Sequence, residues 1–251
     1  MDRRGVVRIL GCMGAAGLAD KVLSQQAAAP DANRYSVLGS GPTVLAFDRA
    51  PSGYYLELAK QYRVVVIDYP PRDPSQSFID SFTADRVCDD ILTVANAVGA
   101  DRFAWYGFSW GAVAGLQLAT RTDRLTALVC GGWPPLGGQY RETLATVEGA
   151  AARGGDRLYV TFYRSLRNWP EHEAVSKLTC SRYVLAGTRD QFVAEGQAIR
   201  IGALVSEHRA ELERLGWMVR LVDGFGHELG ARPDVVTPIL REFLDPVLLR
   251  K

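Results

Sequence analysis

Short apolar runs recur along the chain and are separated by stretches with the periodicity of amphipathic helices. The runs that predict buried strands are 43–47, 62–67, 103–106, 125–130, 182–186 and 217–222, and an alternating run at 34–38 precedes them. Helices are predicted at about 54–61, 82–98, 112–120, 198–216 and 234–244. Strands that alternate with helices at this spacing predict an α/β fold, in which a mostly parallel central sheet is flanked by helices.

Between residues 133 and 178 this alternation stops, and the chain is helical in tendency and unusually rich in aromatic residues. The segment follows a predicted strand, and insertions at the carboxyl edge of a parallel sheet lie where ligands bind. We therefore predict one domain over 34–251 with a small helical cap at about 133–178. Most of the aromatic side chains in the cap should pack it against the main body, and some should line a pocket.

Residues 1–33 form a separate N-terminal segment that has two interpretations. A paired arginine, an apolar run over 9–19 and three alanines at 27–29 resemble a twin-arginine export signal. Charged residues on both sides of the run interrupt this pattern. We therefore favour an amphipathic helix over 15–28 that lies on the domain, and with it a cytoplasmic location. Export is kept as the alternative.

The composition and charge of the chain argue against several kinds of partner and cofactor. The chain has 251 residues, 47% of them hydrophobic, which is enough to bury one large core. A formal net charge of +1 favours neither nucleic acid nor an anionic membrane as a partner. The four cysteines are far apart and there are three histidines, so we expect neither a metal nor a cofactor. Cys88 and Cys130 lie in apolar helix and strand contexts and should be buried.

The strongest chemical motif is Gly107-Phe108-Ser109-Trp110-Gly111, which lies between an apolar strand and a helix rich in small residues. A sharp turn from strand to helix forces a strained backbone on the residue at its apex. Glycines two positions before and after it remove side chains that would collide with the neighbouring elements. The turn exposes the apex hydroxyl beneath the helix N-terminus, where negative charge is stabilised. This pattern predicts that Ser109 is a nucleophile.

A serine hydroxyl is a poor nucleophile at neutral pH unless a base takes its proton. Of the three histidines, His172 and His208 lie in polar helical surroundings and should face solvent. His227 follows the last predicted strand in a glycine-bracketed loop, at the sheet edge that also carries Ser109. Asp190 also lies in the first loop after a predicted strand, although an aspartate there could equally cap a helix. Three suitable residues thus follow three strands in the order Ser109, Asp190, His227.

With these residues in place, the chain from about 34 to 248 resembles the alpha/beta-hydrolase superfamily. The matching segments are the elbow at 107–111, the turn Gly187-Thr188-Arg189-Asp190 and the pair Gly226-His227. The resemblance implies that Ser109 is the nucleophile, His227 the general base and acid, and Asp190 the carboxylate that orients the imidazole. The order along the chain agrees with that of the family. The family's other position for the acid, after the strand at 125–130, offers only Gly131-Gly132-Trp133.

The resemblance also implies an oxyanion hole made of two backbone N–H groups. One should belong to Trp110, directly after the nucleophile. The second comes from the loop after the third strand, where the family usually carries His-Gly and this chain carries Phe47-Asp48-Arg49. The Arg49 N–H is our candidate for this donor, although the conformational freedom of glycine is missing here. Alternatively, the Arg49 side chain reaches a carboxylate or carbonyl oxygen of the substrate.

The function implied is that of a serine hydrolase, which cleaves an ester or thioester with a partly hydrophobic acyl group through an acyl-serine intermediate. We expect this small-molecule acyl substrate to be bound by Phe47, Asp48, Arg49, Trp110, Trp133, Tyr163, Trp169 and Phe192. A carbon–carbon bond hydrolase, a peptidase and an editing thioesterase that serves a carrier protein would use the same triad and remain alternatives. The alternative of another class is a ligand-binding protein without hydrolytic activity, in which the altered loop blocks the oxyanion. The sequence makes no prediction of the oligomeric state.

Overall fold

The computed structural model describes residues 23–25, 34–49 and 53–249. Within these ranges the strands are β1 (Leu23–Gln25), β2 (Arg34–Leu38), β3 (Thr43–Phe47), β4 (Arg63–Asp68), β5 (Phe103–Phe108), β6 (Leu125–Gly131), β7 (Ser181–Gly187), β8 (Phe192–Ala194), β9 (Gln197–Ile199) and β10 (Trp217–Val222). The helices are α1 (Gly53–Leu58), α2 (Gln76–Ser81), α3 (Ala84–Ala97), α4 (Trp110–Ala119), α5 (Tyr140–Ala152), α6 (Leu158–Ser165), α7 (Glu171–Ser176), α8 (Ile201–Glu207), α9 (Arg209–Arg214) and α10 (Pro233–Leu248). A short 3-10 helix covers His227–Ala231. None of these helices is long and apolar enough to cross a membrane.

Eight of these strands form one sheet in the order β1-β2-β4-β3-β5-β6-β7-β10. Strand β2 pairs antiparallel with β1 and with β4, and the other pairs in this sheet are parallel. Strands β8 and β9 form a separate antiparallel hairpin. The predicted α/β fold with a mostly parallel sheet is therefore confirmed. Because parallel strands end at the same edge, the residues that follow β3, β5, β7 and β10 come together there.

Side chains of the sheet alternate between its two faces, as the pleat of a strand requires. In β5, Trp105 belongs to the hydrophobic cluster on the side of α3 and α4, whereas Tyr106 belongs to the cluster on the other face. That second cluster includes Leu58 of α1 and Leu240 of α10. Helices α1 and α10 therefore pack against the same face, opposite α3 and α4. Cys88 and Cys130 are buried, as predicted.

Residues 23–25 correct the prediction for the N-terminal segment. They form β1, in which Leu23 is opposite Val37 of β2, so the helix predicted over 15–28 is wrong at these positions. The outer side of β2 presents N–H and C=O groups that need partners, and pairing with β1 satisfies them. This requirement belongs to the assembled sheet and has no local sequence signal. The rest of the predicted helix, and the segment read alternatively as an export signal, lie outside the described residues.

The single helix predicted over 198–216 is also wrong. Residues Gln197–Ile199 are strand β9, and the helical part is divided at His208 into α8 and α9. A tertiary contact sets where it starts, because the Gln139 side chain accepts a hydrogen bond from the Arg200 N–H at 2.7 Å. The same side chain donates to the Ala198 carbonyl at 2.8 Å. The β8–β9 hairpin is thereby attached to the start of α5.

Helices α5, α6 and α7 lie between β6 and β7, within the segment predicted as a helical cap. Glu171 joins this segment to the loop after β6, since its carboxylate accepts hydrogen bonds from the N–H groups of Gly137 and Gly138 at 2.7 and 3.0 Å. The division of the chain into an N-terminal segment, a domain and a cap stays a prediction.

Candidate active site

Ser109 lies at the turn between β5 and α4, and its backbone is strained in the way that the motif predicts. Its φ of 55° and ψ of −121° belong to a region that residues other than glycine rarely adopt. Gly107 makes the turn possible, since a Cβ there would lie 2.0 Å from the carbonyl oxygen of Gly111. A Cβ at Gly111 itself would meet no atom within 4 Å outside its own helix backbone, so the steric reason predicted for this second glycine is wrong.

Ser109, His227 and Asp190 form one continuous chain of hydrogen bonds. The Oγ of Ser109 lies 3.0 Å from Nε2 of His227, and Nδ1 of the same ring lies 3.0 and 3.2 Å from the two carboxylate oxygens of Asp190. The Asp190 side chain is fully buried, whereas that of His227 is 33% exposed. An ionised carboxylate can only accept hydrogen bonds, so Nδ1 of His227 carries the proton. The lone pair on Nε2 then accepts a hydrogen bond from the Ser109 hydroxyl. This arrangement can activate a nucleophile by removing its proton.

The two loops that carry the acid and the base are bonded to each other, because β7 and β10 are neighbours in the sheet. The N–H of Arg189 donates to the Phe225 carbonyl at 2.8 Å, and the N–H of Gly224 donates to the Thr188 hydroxyl at 3.0 Å. The loops approach so closely that a Cβ at Gly187 would lie 2.1 Å from the Phe225 carbonyl oxygen. Gly187, which comes just before the turn that carries Asp190, is therefore required for a steric reason.

The imidazole of His227 contacts two aromatic rings. The Phe108 ring has its centroid 5.1 Å from that of His227, and the Phe192 ring meets it edge-on at 5.6 Å. Phe108 is itself enclosed by glycines, since a Cβ at Gly132 or Gly230 would lie 2.6 or 2.5 Å from its ring atoms. The sequence prediction missed Phe108, because the glycines that surround it come from distant parts of the chain.

The backbone N–H of Trp110 opens helix α4, next to the nucleophile. The first hydrogen bonds of this helix run from the N–H groups of Ala112 and Val113 to the Ser109 carbonyl, at 2.9 and 3.3 Å. The N–H of the first helical residue has no acceptor within a helix, so this group is available in principle to an oxyanion at the elbow. The geometry is compatible with Trp110 as the first oxyanion donor, which stays a prediction.

The loop after β3 lies beside the elbow, because β3 pairs with β5. In this loop the Arg49 N–H, predicted as the second oxyanion donor, donates to Oδ1 of Asp48 at 2.7 Å. The Arg49 guanidinium donates to the Pro70 carbonyl and pairs with Asp68, from which Nη1 lies 3.3 Å away. The same carboxylate also pairs with Arg34 at 3.0 Å. Both donor groups of Arg49 therefore have partners within the protein, and an oxyanion or a substrate carboxylate would have to displace them.

An aromatic stack borders the elbow. The Trp110 ring stacks on Phe47 at 5.3 Å and on Phe82 at 5.8 Å, and it meets Tyr159 edge-on at 5.4 Å. Two of the predicted substrate-binding rings, Phe47 and Trp110, thus stack on each other at the elbow, Trp110 being the residue directly after Ser109. The sequence prediction missed Tyr159, because an aromatic residue in a helical insertion carries no signal of where its ring will pack.

Three other predicted substrate-binding residues, Trp133, Tyr163 and Trp169, are packed against the hydrophobic core. Trp133 and Tyr163 are buried in the hydrophobic core, and Trp169 is partly buried against it. The rings of Trp133 and Trp169 both pack on Tyr140, with centroids 5.3 and 5.5 Å away. Trp133, Tyr163 and Trp169 thus contribute to the packing of the core, and their role in substrate binding stays a prediction.

His172 and His208 lie apart from the catalytic chain, and both face Glu211. The Nε2 of His172 lies 2.8 Å from a Glu211 oxygen, and Nδ1 of His208 lies 3.8 Å from the other. The side chain of His172 is 69% exposed and faces solvent, as predicted. The side chain of His208 is only 34% exposed, and its ring lies against Gly137, where a Cβ would come within 2.5 Å of Nε2, so the prediction that His208 faces solvent is wrong. His227 is therefore the histidine that the described structure places within hydrogen-bond distance of Ser109.

Comparison with known families agrees with this fold. A family model described as the alpha/beta hydrolase fold matches residues 52–193, which is more than half of the chain. The protein belongs to this alpha/beta-hydrolase family. The matched region contains Ser109 and Asp190 and ends before His227.

Similarity to individual proteins is more limited. A protein of Enterobacter cloacae subsp. cloacae named "Putative carbamate hydrolase RutD" is 31% identical over 106 residues, which are 41% of this chain and 40% of that protein. The match therefore spans about two fifths of that relative's length.

Solved structures resemble the protein over most of its length. E-2-(acetamidomethylene)succinate hydrolase has a TM-score of 0.66 at 15% identity and covers 90% of this chain and 100% of its own. Epoxide hydrolase A from Mycobacterium thermoresistibile has a TM-score of 0.63 at 18% identity and covers 89% and 98%. At these identities the likeness concerns the fold, and the different substrates in the two names show that the fold does not specify one.

Proposed function

We propose that this alpha/beta hydrolase is a serine hydrolase that cleaves an ester or thioester through an acyl-serine intermediate. The observation that carries the proposal is the unbroken chain from the Ser109 hydroxyl through His227 to the buried Asp190, with 3.0 Å at each step. A protein that only binds a ligand has no physical need for a strained serine, an oriented imidazole and a buried carboxylate in one line.

In the first half of the reaction, the Ser109 oxygen attacks the acyl carbon while its proton passes to Nε2 of His227. The negative charge that develops on the former carbonyl oxygen is stabilised by the Trp110 N–H and by a second donor. The imidazolium that forms is stabilised by Asp190, whose buried position strengthens the attraction between the two charges. When the tetrahedral intermediate collapses, the bond to the leaving alcohol or thiol breaks and His227 returns the proton to it.

In the second half, His227 removes a proton from water, and the resulting hydroxide attacks the acyl-serine. The second tetrahedral intermediate expels the Ser109 oxygen, which takes the proton back from His227. The carboxylic acid leaves and the enzyme returns to its starting state. The partly exposed imidazole is consistent with the access that this water needs.

The surroundings of Ser109 support a partly hydrophobic acyl group. Phe47 and Trp110 are stacked on each other at the elbow, and Phe192, which is 41% exposed, packs against His227. The relative named a putative carbamate hydrolase adds carbamates to the candidate substrates. Attack on a carbamate carbonyl would use the same three residues. Carbon–carbon bond cleavage and thioester editing on a carrier protein use this triad as well and are the alternatives within the class.

A non-hydrolytic ligand-binding role is the second candidate, and one observation favours it. The Asp48 carboxylate holds the Arg49 N–H at 2.7 Å, which is the donor that hydrolysis would need at the second oxyanion position. If this bond persists when a substrate is bound, the site binds an acyl compound and turns it over slowly or not at all.

Covalent labelling with a fluorophosphonate separates the two candidates. A serine hydrolase should gain one adduct on Ser109, identified by intact mass and peptide mapping. The adduct should be absent from Ser109→Ala and form at least about 100-fold more slowly in His227→Ala. The matched control is His172→Ala, which removes a surface imidazole that is bonded to Glu211 and should label like the wild type. A folded wild-type protein that gains no adduct would overturn the proposal in favour of ligand binding.

The same protein should then be assayed with a defined set of substrates. Esters and thioesters of increasing acyl length and an aryl carbamate, each followed by release of the leaving group, compare the bond types directly. Turnover of the thioesters alone would favour an editing role, and turnover of the carbamate alone would favour the reaction in the relative's name.

A further inference from the structure

Helix α1 has two adjacent tyrosines in its first turn, Tyr54 and Tyr55, whose hydroxyl groups reach two different parts of the candidate site. The Tyr54 hydroxyl donates to the carbonyl of Gly230. The Tyr55 hydroxyl donates to the carbonyl of Phe47 at 3.2 Å. Consecutive helical side chains point about 100° apart, so one short helix can hold two separate segments. Both side chains are buried in the hydrophobic cluster shared by α1 and α10.

Tyr55 acts on the strand end that leads to the predicted oxyanion donor. It holds the C=O of the Phe47–Asp48 peptide, while the N–H of the same peptide donates to the Ile67 carbonyl at 3.1 Å. A peptide group is planar, so holding it on both sides fixes its orientation. The next N–H along the chain is that of Arg49. The Tyr55 hydroxyl thus fixes the orientation of the peptide group that precedes the Arg49 N–H, and so restrains the direction in which this N–H points.

Tyr54 acts on the segment that carries the base. Gly230 lies in the short 3-10 helix that begins at His227, three positions further on. It also touches the Phe108 ring, which packs against the imidazole. Holding the Gly230 carbonyl therefore restrains His227 both through the backbone and through Phe108.

Both hydroxyls are donors at any pH at which a histidine base works. Burial is the main cause that raises the pKa of Tyr54 to about 12, and burial raises the pKa of Tyr55 further still. A neutral phenol keeps its proton and donates it to the carbonyl.

From these contacts we infer that Tyr54 and Tyr55 are positioning residues of the proposed hydrolase, Tyr54 for the general base and Tyr55 for the second oxyanion donor. The inference rests on the proposed function for its effect on rate, since the two hydroxyls touch neither Ser109 nor Asp190 in the hydrogen bonds of the described structure. It predicts two different defects from two neighbouring residues.

The test uses Tyr54→Phe and Tyr55→Phe, each of which deletes one oxygen and keeps the buried ring. The matched control is Tyr62→Phe, because the Tyr62 hydroxyl belongs to the same cluster but donates to Asp245. The rate at which a fluorophosphonate labels Ser109 is measured against pH for each variant. Amide hydrogen exchange is followed in the peptides that cover 43–49 and 227–231, in parallel and without any substrate.

We expect Tyr55→Phe to lower the labelling rate about tenfold at every pH, with an unchanged midpoint, and to speed exchange in 43–49. Tyr54→Phe should lower the rate to a similar extent, move the midpoint of the rate-against-pH curve, and speed exchange in 227–231. Tyr62→Phe should match the wild type in all three measurements. The inference is overturned if either variant matches Tyr62→Phe in both rate and local exchange. If the wild type is not labelled at all, the proposed function fails, and the exchange data alone decide whether the two hydroxyls hold these segments.

Discussion

The carboxylate of Asp48 accepts a hydrogen bond from the backbone N–H of Arg49 at 2.7 Å, directly after the strand that pairs with the nucleophile strand. The proposed mechanism assigns this N–H to the oxyanion. A carboxylate in this position competes for the donor and also opposes a negative charge that develops nearby, most strongly where water is excluded. Substitution of Asp48 therefore best distinguishes a hydrolase that is slowed by this carboxylate from a protein that only binds a ligand.

Asp48→Ala should speed the formation of the covalent enzyme. One oxyanion donor typically contributes about 100-fold or more to rate, so partial release of the Arg49 N–H should raise the labelling rate of Ser109 about tenfold. The measurement is the time course of adduct mass. Arg49→Ala is the control, because it deletes the guanidinium that pairs with Asp68 but keeps the N–H, and its rate should stay within about twofold of the wild type. A slower Asp48→Ala protein would contradict this account of the loop.

Asp190→Asn should nearly abolish turnover while leaving the protein folded. The amide cannot stabilise an imidazolium and favours the wrong histidine tautomer, changes that lower kcat about 10⁴-fold where a triad operates. Steady-state hydrolysis of an activated ester measures the loss. Asp223→Asn provides the comparison, since this exposed carboxylate lies on the adjacent loop and accepts from the Thr188 hydroxyl at 3.1 Å. Equal effects of the two substitutions would argue against a special role for Asp190.

The two glycines of the elbow should respond in opposite ways to alanine. A Cβ at Gly107 would lie 2.0 Å from a backbone oxygen that cannot move away without unwinding the start of α4, so Gly107→Ala should destabilise the protein by about 3 kcal/mol or more. Gly111 lies in α4 with free space around it, so Gly111→Ala should raise the free energy of unfolding by about 0.5–1 kcal/mol. Urea unfolding of both variants measures the difference. Similar values would show that the elbow relaxes around either side chain.

Stability should fall at alkaline pH because buried phenols resist ionisation. Burial raises the pKa of most of the tyrosines, that of Tyr54 and that of Tyr183 each to about 12. A group with a raised pKa in the folded state contributes stability that is complete below its unfolded pKa, near 10, and is lost as pH rises through the folded value. Burial also raises the pKa of the Cys88 thiol from its ordinary value near 9 to about 12. The free energy of unfolding should therefore begin to fall near pH 9 and fall more steeply above about pH 10, by up to about 1.4 kcal/mol per pH unit for each such thiol or tyrosine. Urea unfolding at a series of pH values, with tyrosinate absorbance recorded in parallel, tests this, and a level profile to about pH 11.5 would contradict it.

Where sequence prediction of the fold failed, the missing information lay in distant contacts. Strand β1 exists because β2 offers an edge, and β9 ends where Gln139 binds the backbone on both sides of Ile199. Neither segment has a local pattern that outweighs its helical tendency. The interior strands β3 to β7 were recovered because a strand buried on both faces is apolar throughout, and that property is visible in the sequence alone. Strand β10 was also predicted as buried, which is wrong, because it lies at the edge of the sheet and Met218 is 52% exposed.

The sequence by itself determined the class of fold, the strained turn at Ser109 and the residue types, order and strand-end positions of the candidate triad. These follow from local spacing: apolar runs, glycines around the apex, and polar residues directly after strands. Only the tertiary structure decided that His227 lies 3.0 Å from Ser109, that Asp48 holds the Arg49 N–H, and that Tyr54 reaches a carbonyl 176 residues away. The physical reason is that hydrogen bonds depend on distance and direction to within fractions of an ångström, and such positions are set by how the helices pack on the sheet.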